Sequence, residues 1–241
     1  LTDNLDKEIK KKFVLLDLFE SLKKIHFPDS KTDIIESRKR LAFDELLEIY
    51  FKLLQEREKR VHSISPLIKV DSNKLNKFVQ KLPFQLTKSQ SHAILDIFND
   101  YKNTFPMHRL LQGDVGSGKT IVALIASLPV LESGFQTIIL TPTSVLAQQH
   151  FSTISKFLKG KYKVILQTSA SKNTREDIEG SDMIISTHSI LYQEKELLKR
   201  LGLVIIDEEH RFGVDQRKQL VDYFSGPKRP HLLNLTATPI P

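Results

Sequence analysis

The chain has 241 residues, 40% hydrophobic and 27% charged, which is enough apolar material for one large domain or a domain with a smaller helical piece, and too much for wholesale disorder. With 36 Lys and Arg against 29 Asp and Glu, the net charge is +7, which suits an anionic partner such as nucleic acid without identifying one. Cysteine is absent, which excludes disulfides, thiolate metal sites and cysteine nucleophiles and fits a reducing, cytoplasmic setting; no apolar run approaches the roughly 20 residues of a membrane helix, so no membrane partner is expected.

In chain order, Ile9, Phe13, Leu16, Phe19 and Leu22 recur at spacings of 4, 3, 3 and 3, which predicts one helix over residues 5–25. Pro28, followed by the capping residues Asp29 and Ser30, interrupts it. A second helix is predicted from Lys31 to Arg60, where Phe43, Leu46, Leu47, Tyr50 and Leu54 form an amphipathic stripe. Residues 61–73, with Pro66, read as a linker, and Lys74 to Lys81 as another turn or two of helix. From about Phe84 the pattern changes. Candidate strands Arg109–Gln112, Thr137–Leu140, Lys163–Leu166, Met183–Ser186, Leu203–Ile206 and Leu232–Leu235 alternate with helical stretches Ser89–Tyr101, Thr120–Leu131, Ser144–Leu158 and Ile190–Leu201. Such alternation predicts an α/β fold, a mostly parallel sheet between helices. The division expected is a helical linker over residues 1–75 and an α/β domain over 76–241. The chain starts without Met and stops at Pro241, and the expectation is of an excised segment.

Two motifs carry chemistry. Gly113 to Thr120 (Gly-Asp-Val-Gly-Ser-Gly-Lys-Thr) fits the phosphate-loop pattern and stands between an apolar strand and a helix, the context that pattern requires. Gly113, Gly116, Ser117 and Gly118 let backbone N–H groups turn around phosphate oxygens, and the helix N-terminus adds positive potential. Lys119 is expected on the β- and γ-phosphates of ATP and the Thr120 hydroxyl on Mg²⁺. The second motif is Leu203-Val204-Ile205-Ile206-Asp207-Glu208-Glu209-His210, an apolar strand ending in acidic residues. Ligands of α/β sheets bind at that end. Asp207 is expected to hold Mg²⁺ and Glu208 to orient and deprotonate water. Adjacent metal and base carboxylates suit hydrolysis rather than small-molecule phosphorylation.

These motifs, followed by Thr236-Ala237-Thr238, stand in the order of motifs I, II and III of superfamily two helicases. More narrowly, Pro106 to Thr120, His210 to Val214 with Gln216-Arg217, Thr236 to Pro241, His26-Phe27-Pro28 and Arg40 to Leu47 resemble the RecG family of DNA helicases, over nearly the whole chain. Glu209 departs from the family's usual Gln and is more like the Mfd-type translocases, and Ser186 stands where a Gly is typical. The resemblance implies the first RecA-like motor domain of an ATP-dependent DNA helicase, preceded by the helical connection from a wedge domain. It implies an adenine-recognition element from Phe84 to Gln90, with Gln90 on the base. It implies DNA contacts at Thr141, Thr143, Thr187 and His188, and coupling between nucleotide and DNA through His210, Thr236 and Thr238. The implied partners are branched DNA, forks and junctions, with a wedge domain and a second motor domain of the same protein supplying the rest of the machine, including an arginine finger. The chain alone is therefore expected to bind Mg-ATP and hydrolyse it feebly. The rivals are an Mfd-type motor and a non-motor ATP-binding module.

Overall fold

The structure, a computed structural model, describes residues 3–192, 195–208, 211–213, 219, 223–224 and 228–237. The chain divides into two compact units, residues 1–60 and 61–241.

The first unit is helical: α1 (Lys7–Phe13), α2 (Leu18–His26) and α3 (Lys31–Val61). The single helix predicted over residues 5–25 is broken in two. Val14 adopts a left-handed conformation (φ 52°) at the end of α1, and the Asp3 carboxylate accepts the Leu18 N–H at the start of α2. The apolar spacing continues through the break, so periodicity alone does not reveal it. Phe27 to Ser30 separates α2 from α3, where Pro28 predicts the interruption. The Arg40 side chain is 1% exposed. Its Nε donates to the Leu16 carbonyl at 2.9 Å, one terminal nitrogen donates to Asp3 at 2.6 Å, and the other pairs with Asp44. Burial alone raises the Asp3 pKa. The N–H groups of Leu5 and Leu18, with the Lys10 and Arg40 charges, outweigh that and hold the carboxyl well below the usual range.

The second unit contains α4 (Ser72–Val79), α5 (Lys88–Asp100), β1 (His108–Gln112), α6 (Lys119–Glu132), β2 (Gln136–Leu140), α7 (Ser144–Leu158), β3 (Val164–Gln167), α8 (Arg175–Glu179), β4 (Met183–Ser186), β5 (Leu201–Asp207) and β6 (His231–Thr236). The six strands form one sheet in the order β1-β6-β5-β2-β4-β3, and every pairing is parallel. Strands of a sheet covered on both faces read as continuous apolar runs. In β5, Leu203, Val204 and Ile205 are fully buried, Leu203 and Ile205 toward one core and Val204 toward the other. Each such side chain contributes roughly 1.5–3 kcal/mol by leaving water. Helix α6 is apolar all round and buried from Ile121 to Leu131, as a helix enclosed by its neighbours must be. The helix expected over Ile190–Leu201 is instead two 3₁₀ turns, His188–Tyr192 and Lys195–Leu198, after which β5 begins at Leu201. Ile190, Leu197 and Leu198 are all buried in the same cluster. A spacing of seven and eight residues satisfies two tight turns as well as a helix.

Residues 61–73, read as a linker, are docked on this unit. Ile68 and Leu75 are buried in one cluster with Ile94, Ile97 and Tyr101. His231 anchors the segment: its Nε2 donates to the Pro66 carbonyl at 2.9 Å, and its Nδ1 accepts the Met107 N–H at 3.0 Å. This bonding requires the neutral ring, and burial lowers the His231 pKa against weaker opposition from the Pro66 carbonyl and the Asp100 charge. The unfolded chain takes up the proton below about 6.5 and the folded chain does not, so stability is lost as the pH falls below that value. Between pH 7.5 and 5.5 the second unit is expected to lose stability with a His231 contribution of at most about 1.4 kcal/mol per pH unit. The slope is expected to flatten in His231→Gln, measured by thermal melting of both proteins across that range. Equal slopes would remove His231 as the cause.

Candidate active site

The strand order explains why distant motifs meet. Strand β6 lies between β1 and β5, so the carboxyl ends of all three are adjacent. The chain leaves β1 through the phosphate loop into α6, and leaves β5 through Asp207 and Glu208. The Gly113 N–H donates to the Thr236 carbonyl at 3.1 Å, and the Glu208 N–H donates to the Leu235 carbonyl at 2.9 Å. Consecutive carbonyls at the end of β6 thus hold the loop on one side and the acidic segment on the other. Thr236 itself is 5% exposed. His210 and Thr238, which share its expected coupling role, lie outside the described residues, as does Glu209.

The loop has the backbone its glycines allow. Gly116 and Gly118 sit at φ 80° and 82°, where an L side chain is strained. A Cβ on Gly118 would also stand 2.5 Å from the Gln90 amide nitrogen. Gly118 opens α6, and no side chain caps that N-terminus. Its first-turn N–H groups and the positive end of the helix dipole therefore suit an anion. The Lys119 ammonium bonds the carbonyls of Gly113 (2.6 Å) and Asp114 (3.0 Å), folded back over its own loop. Thr120 follows in the first turn and is half-buried.

Gln90 has three tasks on one carboxamide. Its oxygen accepts the Thr87 N–H at 2.9 Å, while Thr87 caps the Gln90 N–H, completing a capping box. Its amide nitrogen donates to the Ser117 carbonyl at 2.8 Å. A carboxamide has two N–H bonds and two lone-pair directions, so one donor and one acceptor remain after these contacts. Beside it lies a cavity of about 430 Å³ lined by Phe84, Gly116, Gly118, Thr120, Ile121 and Phe157, among others. Phe84 and Phe157 meet edge to face, with ring centroids 6.3 Å apart. Phe157 has no motif to mark it; in the sequence it is one apolar position of an amphipathic helix.

Asp207 and Glu208 end β5. Asp207 is 9% exposed, and its Oδ2 lies 2.8 Å from the His150 Nε2. Glu208 takes a left-handed backbone (φ 54°), a position that L residues seldom occupy. Among the described residues no cluster of three His, Cys, Asp or Glu could hold a metal. A hydroxyl and a single carboxylate fit Mg²⁺, which keeps waters and shares phosphate oxygens rather than needing a protein cage.

The residues expected to face DNA lie at the ends of β2 and β4, in two depths. Thr143 is exposed and caps α7 through the Leu146 N–H. Thr141 is fully buried, with its hydroxyl on the Thr143 carbonyl at 3.0 Å. Thr187 is 7% exposed and donates to the Ser189 hydroxyl. His188 is half-buried and its ring meets that of Tyr192 at 6.3 Å; Tyr192 is 76% exposed. Ser186 donates to the Gln167 carbonyl at 2.6 Å, a tie between β4 and β3 that a glycine would not make.

A parallel sheet with a phosphate loop after β1 and an acidic pair at the end of β5, one strand further in, defines a P-loop motor domain. Residues 87–241 match the DEAD/DEAH box helicase family, and the chain belongs to that family. It is 39% identical over 250 residues to the ATP-dependent DNA helicase RecG of Synechocystis, covering the whole chain and 30% of that protein. It is 41% identical over 252 residues to RecG of Thermotoga maritima, again over the whole chain and 31% of the relative. Among solved structures, RecG bound to a three-way DNA junction superposes with a TM-score of 0.80 at 35% identity, over the whole of this chain and 33% of that one. The UvsW helicase of bacteriophage T4, at 14% identity and a TM-score of 0.56, shares the fold. The chain is thus a RecG-like helicase motor domain with a helical segment before it, spanning about a third of the length of its curated relatives; neither an Mfd-type motor nor a non-motor module is favoured. Membership of the family implies nucleotide binding. No described helix is long and apolar enough to cross a membrane.

Proposed function

We propose that this chain is the ATP-binding half of a motor that remodels branched DNA, forks and junctions, in repair and recombination, working in the cytoplasm. The observation that carries this reading is the junction of three strand ends, where the β6 carbonyls hold the phosphate loop and the acidic pair together. ATP is the substrate. The α6 N-terminus and the N–H groups of Gly116, Ser117 and Gly118 bind its phosphates, and Lys119 leaves its loop carbonyls to reach the β- and γ-phosphates. The base enters beside Phe84 and Phe157, with the remaining donor and acceptor of Gln90 on its edge. Thr120 and Asp207 would hold Mg²⁺, which when bound neutralises developing phosphate charge. Glu208 takes a proton from water as the water oxygen bonds to the γ-phosphorus; the bond to the bridging oxygen breaks, giving ADP and phosphate. Thr143, His188 and Tyr192 are offered to single-stranded DNA, Tyr192 as a face on which a base can stack. Thr141 and Thr187 shape these loops from beneath. Thr236 passes nucleotide state to them, with His210 and Thr238 assigned to the same task.

The first 75 residues serve as the connector to a wedge domain, and a second motor domain supplies the missing wall and arginine finger. The 241-residue chain is accordingly expected to bind Mg-ATP and to turn it over about 10³–10⁵-fold more slowly than a complete motor, with no unwinding. Lys119→Ala is expected to weaken binding at least about tenfold, since a charge-assisted hydrogen bond to phosphate is worth roughly 1.5–3 kcal/mol. Equilibrium titration with a fluorescent ATP analogue measures the first, and phosphate release with forked DNA the second. DNA-stimulated turnover at the rate of a full motor would refute the division of labour, and no nucleotide binding would refute the site.

A further inference from the structure

The buried residues of α7 are Ala147, His150, Ile154 and Leu158, three apolar groups and one imidazole. The resemblance that implies DNA contacts at Thr141 and Thr143 runs on through Gln148, Gln149 and His150, but His150 is turned inward and not toward DNA. It is 9% exposed, and its Nε2 meets Asp207 Oδ2 at 2.8 Å, a contact between residues 57 apart in the chain. A carboxylate can only accept, so Nε2 carries the proton and donates. The bond commits one oxygen of Asp207 and leaves the other to a cation or its water. It also restricts the rotation of a side chain that has only two torsions.

Holding α7 on the sheet does not by itself require this bond. Ala147, Ile154 and Leu158 bury the helix along its length, and Thr143 caps its start. The imidazole stands where β5 delivers its acidic pair, on the carboxylate rather than on a backbone carbonyl. From this geometry we infer that His150 is a positioning residue for Asp207: it fixes the carboxylate orientation in which the Mg²⁺ of a bound nucleotide is held. The inference rests on the reading of Asp207 as the cation carboxylate. Outer hydrogen-bond partners of metal ligands are worth about 10- to 100-fold in metal affinity.

The test is a titration of a fluorescent ADP analogue into the chain, first in EDTA and then at rising Mg²⁺, for the wild type, His150→Ala and His150→Gln. The wild type is expected to gain affinity with Mg²⁺. In His150→Ala the Mg²⁺ concentration for half of that gain is expected to rise about 10- to 100-fold, with affinity in EDTA unchanged. His150→Gln places an amide N–H where Nε2 stood and is expected to recover most of the Mg²⁺ response. A wild-type Mg²⁺ curve in His150→Ala overturns the inference. So does a loss in His150→Ala that appears equally in EDTA and is not recovered by His150→Gln, because that is a structural role. A wild type that binds nucleotide without any Mg²⁺ response overturns the underlying assignment of Asp207 instead.

Discussion

Replacing Glu208 with Gln in the intact motor is expected to lower its DNA-stimulated ATP turnover by about 10²–10⁴-fold, the usual worth of a positioned general base, while Mg-ATP affinity stays within a few-fold. The substitution is nearly isosteric and leaves the backbone bonds of the residue in place: its N–H on the Leu235 carbonyl and its carbonyl on the Arg211 N–H. The φ of 54° at Glu208 costs on the order of 1–2 kcal/mol for an L residue. Such strain persists where the surrounding structure fixes the backbone, here where the Glu208 N–H is held on the Leu235 carbonyl at the end of β6. Phosphate release at saturating ATP and DNA, together with nucleotide titration, separates the possibilities. Turnover within threefold of wild type would place water activation elsewhere; a parallel loss of affinity would make Glu208 a structural residue.

In the helical unit, Arg40→Ala is expected to destabilise residues 1–60 by about 1.5–3 kcal/mol, because it leaves Asp3 with Lys10 as its one cation and removes the bond to the Leu16 carbonyl. Arg40 joins three places in the unit, the Leu16 carbonyl, Asp3 and Asp44, and Asp3 in turn holds the ends of both α1 and α2 through Lys10 and Leu18. Arg40→Lys keeps the charge but not the planar fork, and is expected to recover only part of the loss. The Asp3 pKa is depressed, so its stabilisation is present above the ordinary carboxylate value and is lost as the pH falls through the folded-state value. Hydrogen exchange of the α1–α3 amides reads the local stability directly. Protection in Arg40→Ala equal to wild type would show that the network holds nothing.

The elements were legible where pattern and length agreed. Ser144–Leu158 and Met183–Ser186 fall where the pattern places them, because an amphipathic run of fifteen residues is long enough for a helix and the three apolar residues Met183 to Ile185 between polar turns are too few for one. The breaks were less legible. Nothing in the apolar spacing marks Val14 as left-handed, since the partner that favours the break, Asp3, acts from fifteen residues away on Leu18. The same applies to Ile190–Leu201, where the apolar spacing does not separate a helix from two 3₁₀ turns. At the site, the phosphate loop and the acidic pair were readable because their chemistry depends on residue types in a fixed local spacing. The contact of His150 with Asp207 and the place of Phe157 were not, because each is one position of a helix face whose neighbour lies on another element.

The sequence by itself determined the local arrangements and the family to which they belong. A glycine loop closing on a lysine, and two carboxylates after an apolar strand, are local arrangements, and local arrangements are written in consecutive residues. Only the tertiary structure decided what those groups meet. Strand β6, last in the chain but one place in from the sheet edge, puts its Leu235 and Thr236 carbonyls against Glu208 and Gly113. Helix α7 brings an imidazole to Asp207. Gln90 reaches from its capping box to the Ser117 carbonyl. These contacts depend on strand order and helix packing, which are settled by how the whole chain buries its apolar surface and not by any segment of it.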